Sequence, residues 1–252
     1  GIVTHSSGNH GQAVACAAAM LDMRALIAMP ADAPAIKVES TRRWGAEITF
    51  FDRGTTDRET LATRLAAERG GVVIPPYDHP DVIAGQGTLA LELFEDAAAS
   101  GLKLDALAVC TGGGGLVGGC ALAAEGASPA TRVFAVEPEG WDDTRRSLEA
   151  GARIANDGAG DTLCDALLSM RPGEITFAVN RPRLAGAAVV TEAEVFRAMR
   201  LAFEHLKIVA EPGGAVALAA VLAGKVPARG PVGVVISGGN VDPAVFARAL
   251  AA

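Results

Sequence analysis

Four consecutive glycines constrain this chain more than any other stretch. Residues 111–119 read TGGGGLVGG. An apolar run at 104–110 precedes them and has the character of a buried strand. The stretch that follows, 120–125, has the character of a helix. Strand, glycine loop and helix together present several backbone N–H groups and a helix N-terminus to an anion. Removing four Cβ atoms in a row lets the main chain curl closely around such a group. The loop lacks the Lys-Ser/Thr ending of a nucleotide-binding P-loop, and no acidic residue stands at the distance a dinucleotide fold requires. The phosphate of a smaller cofactor is the better match, and a plain flexible turn is the alternative.

The rest of the chain alternates strand and helix patterns. Strands are expected at 1–4, 25–29, 46–51 and 72–74, with helices at 13–21, 34–44 and 57–69 between them. Pro34 falls near the first turn of the second helix, and Gly45 follows as its stop. This alternation predicts a small parallel sheet with helices on its faces. The run 75–80, PPYDHP, breaks the pattern and marks a domain crossing. Beyond it come a helix from about 83 to 100, strands at 104–110 and 132–137, and a strand ending at 189–190. A short helix is expected at 162–169, followed by helices at 192–206 and 215–223. A buried strand at 231–236 leads to a final helix. The fold class is therefore α/β, with two three-layer domains built on parallel or mixed sheets.

Composition narrows the class of function. The 252 residues carry a net charge of −7, and only 4% are aromatic. That argues against a phosphate-backbone partner or a base-stacking surface, so no nucleic acid is expected. No apolar run reaches the length of a membrane span. Cys16, Cys110, Cys120 and Cys164 are scattered without paired spacing, which suits buried thiols in a reducing, cytoplasmic compartment.

Three further polar clusters stand out. Residues 5–12, HSSGNHGQ, concentrate hydroxyl, amide and imidazole groups before a helix. Ser7 and Asn9 suit an N-cap, but the density of donors also suits a cradle for a carboxylate. Residues 137–143, EPEGWDD, are an acidic turn that is either solvated or able to offer oxygen ligands to a hard divalent cation. Ser237 closes the strand at 231–236, where parallel sheets bind ligands.

The stretches 5–12 (HSSGNHGQ), 82–88 (VIAGQGT), 112–116 (GGGGL), 211–215 (EPGGA) and 237–240 (SGGN) occur in an order and spacing that resemble the fold-type II pyridoxal-phosphate enzymes. The closest resemblance is to threonine/serine dehydratases and serine racemases. It implies a tryptophan synthase β-like architecture, with a small domain at 1–78 bearing the asparagine loop and a large cofactor domain at 79–252. It further implies that Gly112, Gly113, Gly114, Gly115 and Leu116 cup the cofactor phosphate. Asn9 would pair with the phenolic oxygen, Ser237 would face the pyridine nitrogen, and Glu211 would belong to the same cofactor site. Ser6, Ser7, Gly8, Asn9 and His10 would grip the substrate carboxylate, with Ser7 as second acid/base in a racemase. Glu137, the carbonyl of Trp141, and Asp143 match a divalent-cation site, for Mg2+ or a similar ion, of the racemase branch.

The implied activity is elimination of ammonia from L-threonine or L-serine to give a 2-oxo acid, in a homodimer acting on small amino acids. Hydroxyaspartate stays open as a substrate, and racemisation is the alternative activity. Two departures matter. Tyr77 stands where serine racemases tend to have Asn, which favours the dehydratase. Cys164, Asp165 and Ala166 replace the usual Ala-Asp-Gly. The family's Schiff-base lysine lies in a Ser-Phe-Lys-like motif, and none of Lys37, Lys103, Lys207 and Lys225 is in one. The expectation is a large domain lacking its N-terminal part, in a chain that is non-catalytic alone.

Overall fold

A computed structural model describes residues 1–6, 8–33, 35–52, 54–158 and 160–252. Ser7 and Pro34, both singled out in the sequence, lie outside the described residues. The chain divides into two compact units, Gly1–Pro76 and Tyr77–Ala252.

The first unit alternates β1 (Ile2–His5), α1 (Asn9–Met20), β2 (Ala25–Pro30), α2 (Ala35–Arg43), β3 (Glu47–Phe51), α3 (Arg58–Arg69) and β4 (Val72–Val73). Its sheet runs β3-β2-β1-β4, with parallel pairing throughout. β2 is buried along its whole length. Successive strand side chains face opposite ways, so an interior strand covered on both faces must be continuously apolar. Ile27 and Met29 pack with Val14, Ala15 and Ala18 on one face, while Leu26 and Ala28 pack with Leu61, Ala62 and Leu65 on the other.

The second unit contains α4 (Pro80–Ala99), β5 (Ala106–Cys110), α5 (Gly115–Ala127), β6 (Arg132–Pro138) and α6 (Asp143–Ala150). After a 3-10 turn at Asp165–Leu167 come α7 (Glu174–Asn180), β7 (Leu184–Val190) and α8 (Glu192–Leu201). A π turn (Ala202–Leu206), α9 (Pro212–Leu222), β8 (Val232–Val234) and α10 (Pro243–Ala251) complete it. The sheet order is β7-β6-β5-β8, again parallel. β5 has core on both sides. Ala106, Ala108 and Cys110 face Val216 and Met199, and Leu107 and Val109 face Val117, Cys120 and Phe94. Among the described residues no helix is long and apolar enough to cross a membrane.

Several local expectations shift. α1 begins at Asn9 rather than 13, so half of the expected polar loop is its first turn, and Gly8 rather than Asn9 is the N-cap. α4 begins at Pro80, because His79 accepts from Asp81 N and Pro80 occupies the first helical position. The helix expected over 192–206 stops being α-helical at Leu201 and ends in a π turn, with Lys207 at φ 59°. The helix expected at 162–169 is a 3-10 turn only. The sequence pattern does not announce α7. Ile175, Thr176, Phe177 and Val179 are strand-preferring residues, and the group that holds this helix's start is remote in sequence.

Candidate active site

In each unit one strand has neighbours on both sides that were reached in opposite directions along the sheet. These are β1, between β2 and β4, and β5, between β6 and β8. Ligands of open parallel sheets bind outside the carboxyl ends of the strands at such a switch point. The asparagine loop follows β1, and the glycine loop follows β5.

The glycine loop leaves β5 through Thr111, whose N–H donates to Val136 O (2.8 Å). Gly114, at φ 92°, is the N-cap of α5 and offers no side-chain cap. The first-turn N–H groups of a 13-residue helix are thus left to bind something else. Space is tight behind the loop: a Cβ on Gly113 would collide with the Tyr77 ring, and one on Gly114 would stand 2.8 Å from Asn180 Nδ2. The loop carbonyls are engaged. Gly113 O accepts from Thr176 Oγ1 (2.7 Å) and Gly173 N (3.2 Å), and Gly114 O accepts from Asn180 Nδ2 (3.0 Å). Leu116 packs into the core clusters on both sides of the sheet and anchors the start of α5. An uncapped helix N-terminus, a side-chain-free curl and carbonyls bound elsewhere fit a phosphate group.

Ser237 lies one strand over, beyond the end of β8, and Cys110 Sγ donates to its Oγ (3.0 Å). Burial pushes the Cys110 thiol up to about 11, so it stays a neutral donor. Glu211 is the buried N-cap residue of α9. Its N–H donates to Gly238 O (2.9 Å), and a Cβ on Gly214 would stand 2.6 Å from that same oxygen. The Glu211 turn and the Ser237 turn are therefore pressed together, backbone on backbone. The structure places Cys110, Glu211 and Ser237 together at this end of the sheet.

In the first unit Ser6 N donates to Ala28 O (3.0 Å), and Ser6 Oγ accepts from Gly8 N (3.2 Å). Asn9 and His10 form the first turn of α1, whose N-cap, Gly8, has no side chain of its own to cap it. His10 Nε2 lies 3.0 Å from Thr4 Oγ1 and 3.2 Å from Ile74 O. Thr4 gives its hydroxyl hydrogen to Ile74 O (2.5 Å), and that carbonyl can only accept. Nε2 of His10 therefore carries a proton, and this side of the ring serves the fold. Two residues that the sequence does not single out border the loop. Lys37 is buried, and its Nζ stands 3.5 Å from where a Cβ on Gly8 would be. His5 is 3% exposed, and its Nδ1 has no hydrogen-bond partner. Burial, the Arg58 guanidinium and His10 push His5 down to about 4, against the pull of Asp57.

The acidic turn is organised around Glu137. Its carboxylate accepts from Thr144 N (2.8 Å) and Arg145 N (2.9 Å) at the start of α6. Asp143 Oδ1 accepts from Asn156 Nδ2 (2.7 Å), while the buried Oδ2 has no partner. Burial and the neighbouring Asp143 raise Glu137 to about 8, and burial raises Asp143 to about 6. Asp142 turns away to Arg145 and Arg146. Trp141 is buried, with its indole N–H on Gly160 O (2.7 Å). Among the described residues no group of three or more His, Cys, Asp or Glu side chains is placed to hold a metal ion.

Residues 1–238 match the family model described as pyridoxal-phosphate dependent enzyme. The chain is 44% identical over 243 residues to an L-threo-3-hydroxyaspartate ammonia-lyase of Saccharomyces cerevisiae, covering 96% of this chain and 73% of that one. It is 40% identical over 251 residues to a serine racemase of Schizosaccharomyces pombe, covering 99% and 76%. Among solved structures it resembles a T.th. threonine deaminase, with a TM-score of 0.90 and 43% identity over 96% of this chain and 78% of that one. The chain belongs to the family of pyridoxal-phosphate dependent enzymes.

Proposed function

We propose that this chain supplies the cofactor and substrate-carboxylate sites of an ammonia-lyase that converts β-hydroxy amino acids, L-threonine or L-serine, to a 2-oxo acid and ammonia. The observation that carries the reading is the geometry at the end of β5: an uncapped, side-chain-free helix start, with the Ser237 hydroxyl at the end of the adjacent strand. Pyridoxal phosphate, when bound, supplies an electron sink for the bond electrons released at the amino acid's Cα. The glycine loop would hold its phosphate. Ser237 would place a hydroxyl at the ring nitrogen, where a neutral partner does not hold the ring protonated as a carboxylate would, making the ring a milder electron sink, and Asn9 would meet the phenolic oxygen. Glu211 fixes the Ser237 turn through its own backbone.

The substrate carboxylate would lie against Ser6, Ser7, Gly8, Asn9 and His10 at the start of α1, since a helix N-terminus favours an anion. The buried Lys37 side chain, with Nζ beside Gly8, borders this loop. The relative named for L-threo-3-hydroxyaspartate supports extending the substrate class to β-hydroxy amino acids with a second carboxylate.

The second reading is a serine racemase on the same scaffold, with Ser7 as the added acid/base. The relative from Schizosaccharomyces pombe supports it, and Tyr77, in the place of the racemase Asn, speaks against it. Assays of ammonia and 2-oxo acid release from L-serine, L-threonine and L-threo-3-hydroxyaspartate, run beside chiral analysis of serine, separate the two. Ammonia release without D-serine supports the lyase, and D-serine as main product overturns it. Borohydride reduction with mass mapping locates the attachment point. A label on Lys37, Lys103, Lys207 or Lys225 would overturn the reading that none of these is the nucleophile.

A divalent cation at Glu137, Asp143 and the Trp141 carbonyl completes the proposal. Two buried carboxyl groups and the unpartnered Asp143 Oδ2 suit a hard cation. Mg2+ should raise the melting temperature of the wild type and not of Asp143→Asn; equal response in both would remove the site.

A further inference from the structure

A phosphate cup made of main chain must turn its N–H groups towards the anion and its carbonyls away. A run of four glycines does not enforce that by itself, because glycine populates both halves of φ space. In this structure the enforcement comes from α7. Thr176 Oγ1 and Gly173 N both donate to Gly113 O, and Asn180 Nδ2 donates to Gly114 O. Thr176 and Asn180 are both fully buried, so these bonds do not compete with water.

α7 has only seven residues, too few to persist alone. Its start is fixed by a residue far upstream. The Asp78 carboxylate accepts from Glu174 N (2.9 Å) and Thr176 N (3.0 Å), taking up two of the orphan donors of the first turn. Tyr77, the adjacent residue, packs over Gly113 and Gly115 from its own side. The loop is thus gripped by α7 and its N-cap on the Gly113 and Gly114 carbonyls, and by the Tyr77 ring against the α-carbon of Gly113.

We propose that Thr176 and Asn180, with Asp78 anchoring their helix, are positioning residues for phosphate recognition. They hold the Gly113 and Gly114 carbonyls away from the ligand, so that the loop N–H groups converge on the phosphate before it arrives. The gain is preorganisation: donors already aligned need no ordering on binding. This inference rests on reading the glycine loop as the phosphate cup, and its test separates the two.

The probes are pyridoxal phosphate and pyridoxal, which lacks the phosphate, each titrated into the full chain freed of cofactor and followed by absorbance. The wild type should prefer the phosphorylated form strongly. Thr176→Val and Asn180→Leu, which keep shape and remove the donors, should each cut that preference about tenfold or more, with pyridoxal affinity unchanged. Thr176→Ser should restore it. A purely structural role would weaken both ligands alike, and an unchanged preference ratio in both variants overturns the proposal. If the wild type itself shows no preference, the phosphate-cup reading falls and takes this one with it. Should Thr176→Val fail to fold, Asn180→Leu carries the same comparison from the other carbonyl.

Discussion

The thiol of Cys110, the last residue of β5, donates to the hydroxyl oxygen of Ser237 across 3.0 Å. A hydroxyl that accepts this bond keeps its own hydrogen for another acceptor. The arrangement therefore aims Ser237 as a donor, provided Cys110 stays protonated. Burial raises Cys110 to about 11 and Cys120 and Cys164 to about 12. Of the four cysteines only Cys16 is not fully buried. A chromogenic disulfide reagent at pH 8 should therefore modify one thiol in the native protein and all four in denaturant. Fast labelling of Cys110 in the folded chain would contradict the assigned geometry.

Helices α4 and α5 cross at Gly87 and Gly119. A Cβ on Gly87 would stand 2.7 Å from Gly119 O, and one on Gly119 would collide with Gly87 N and Ile83 O. Both obstacles are backbone and cannot rotate away. Gly119→Ala should cost about 3 kcal/mol, the upper end of overpacking, as measured by urea denaturation. An unchanged midpoint would mean the helices are further apart than described.

His5 should make the protein acid-sensitive. Its folded-state value of about 4 lies below the ordinary 6.5. Below pH 6.5 the unfolded chain binds the proton and the folded one does not, so the stability contributed by neutral His5 is complete above that pH. It is lost as the pH falls towards 4. Between pH 7 and 5 the loss from this group is about 2 kcal/mol. His5→Gln should flatten that part of the stability-against-pH curve; parallel curves for the two proteins would remove His5 as the cause.

Thr191 and Glu194 form a reciprocal cap on α8, with Thr191 Oγ1 accepting from Glu194 N and the Glu194 carboxylate accepting from Thr191 N. Lys225 Nζ also reaches that carboxylate (2.7 Å). Thr191→Ala should destabilise the protein by about 1 kcal/mol, and Thr191→Ser by much less. Equal losses from the two would point to the methyl group instead of the cap.

Strands and helices of both units are legible in the sequence because each unit repeats one simple alternation, and because buried parallel strands such as β2 and β5 are unbroken apolar runs. The glycine loop is legible as a side-chain-free curl that runs into a helix start. Its supports are not. Asp78 and Thr176 are separated by almost a hundred positions and meet only through the fold, and α7 is spelled in strand-preferring residues. Lys37 sits in a helix that reads as ordinary surface, and nothing local announces that its ammonium turns inward to Gly8. The family resemblance sends His10 to the substrate, and the structure gives its Nε2 to Thr4 and Ile74, partners that no spacing rule connects to it.

The order β7-β6-β5-β8 also has a consequence for synthesis. β5 gains β6 soon after it emerges, but its other neighbour, β8, is made last among the strands. At ribosomal speed the roughly 120 intervening residues take on the order of ten seconds. For that interval the most apolar strand of the unit has one flank without a partner, an edge open to a second nascent chain. Yield on overexpression should therefore depend on chaperone supply and on growth temperature, however stable the finished molecule is.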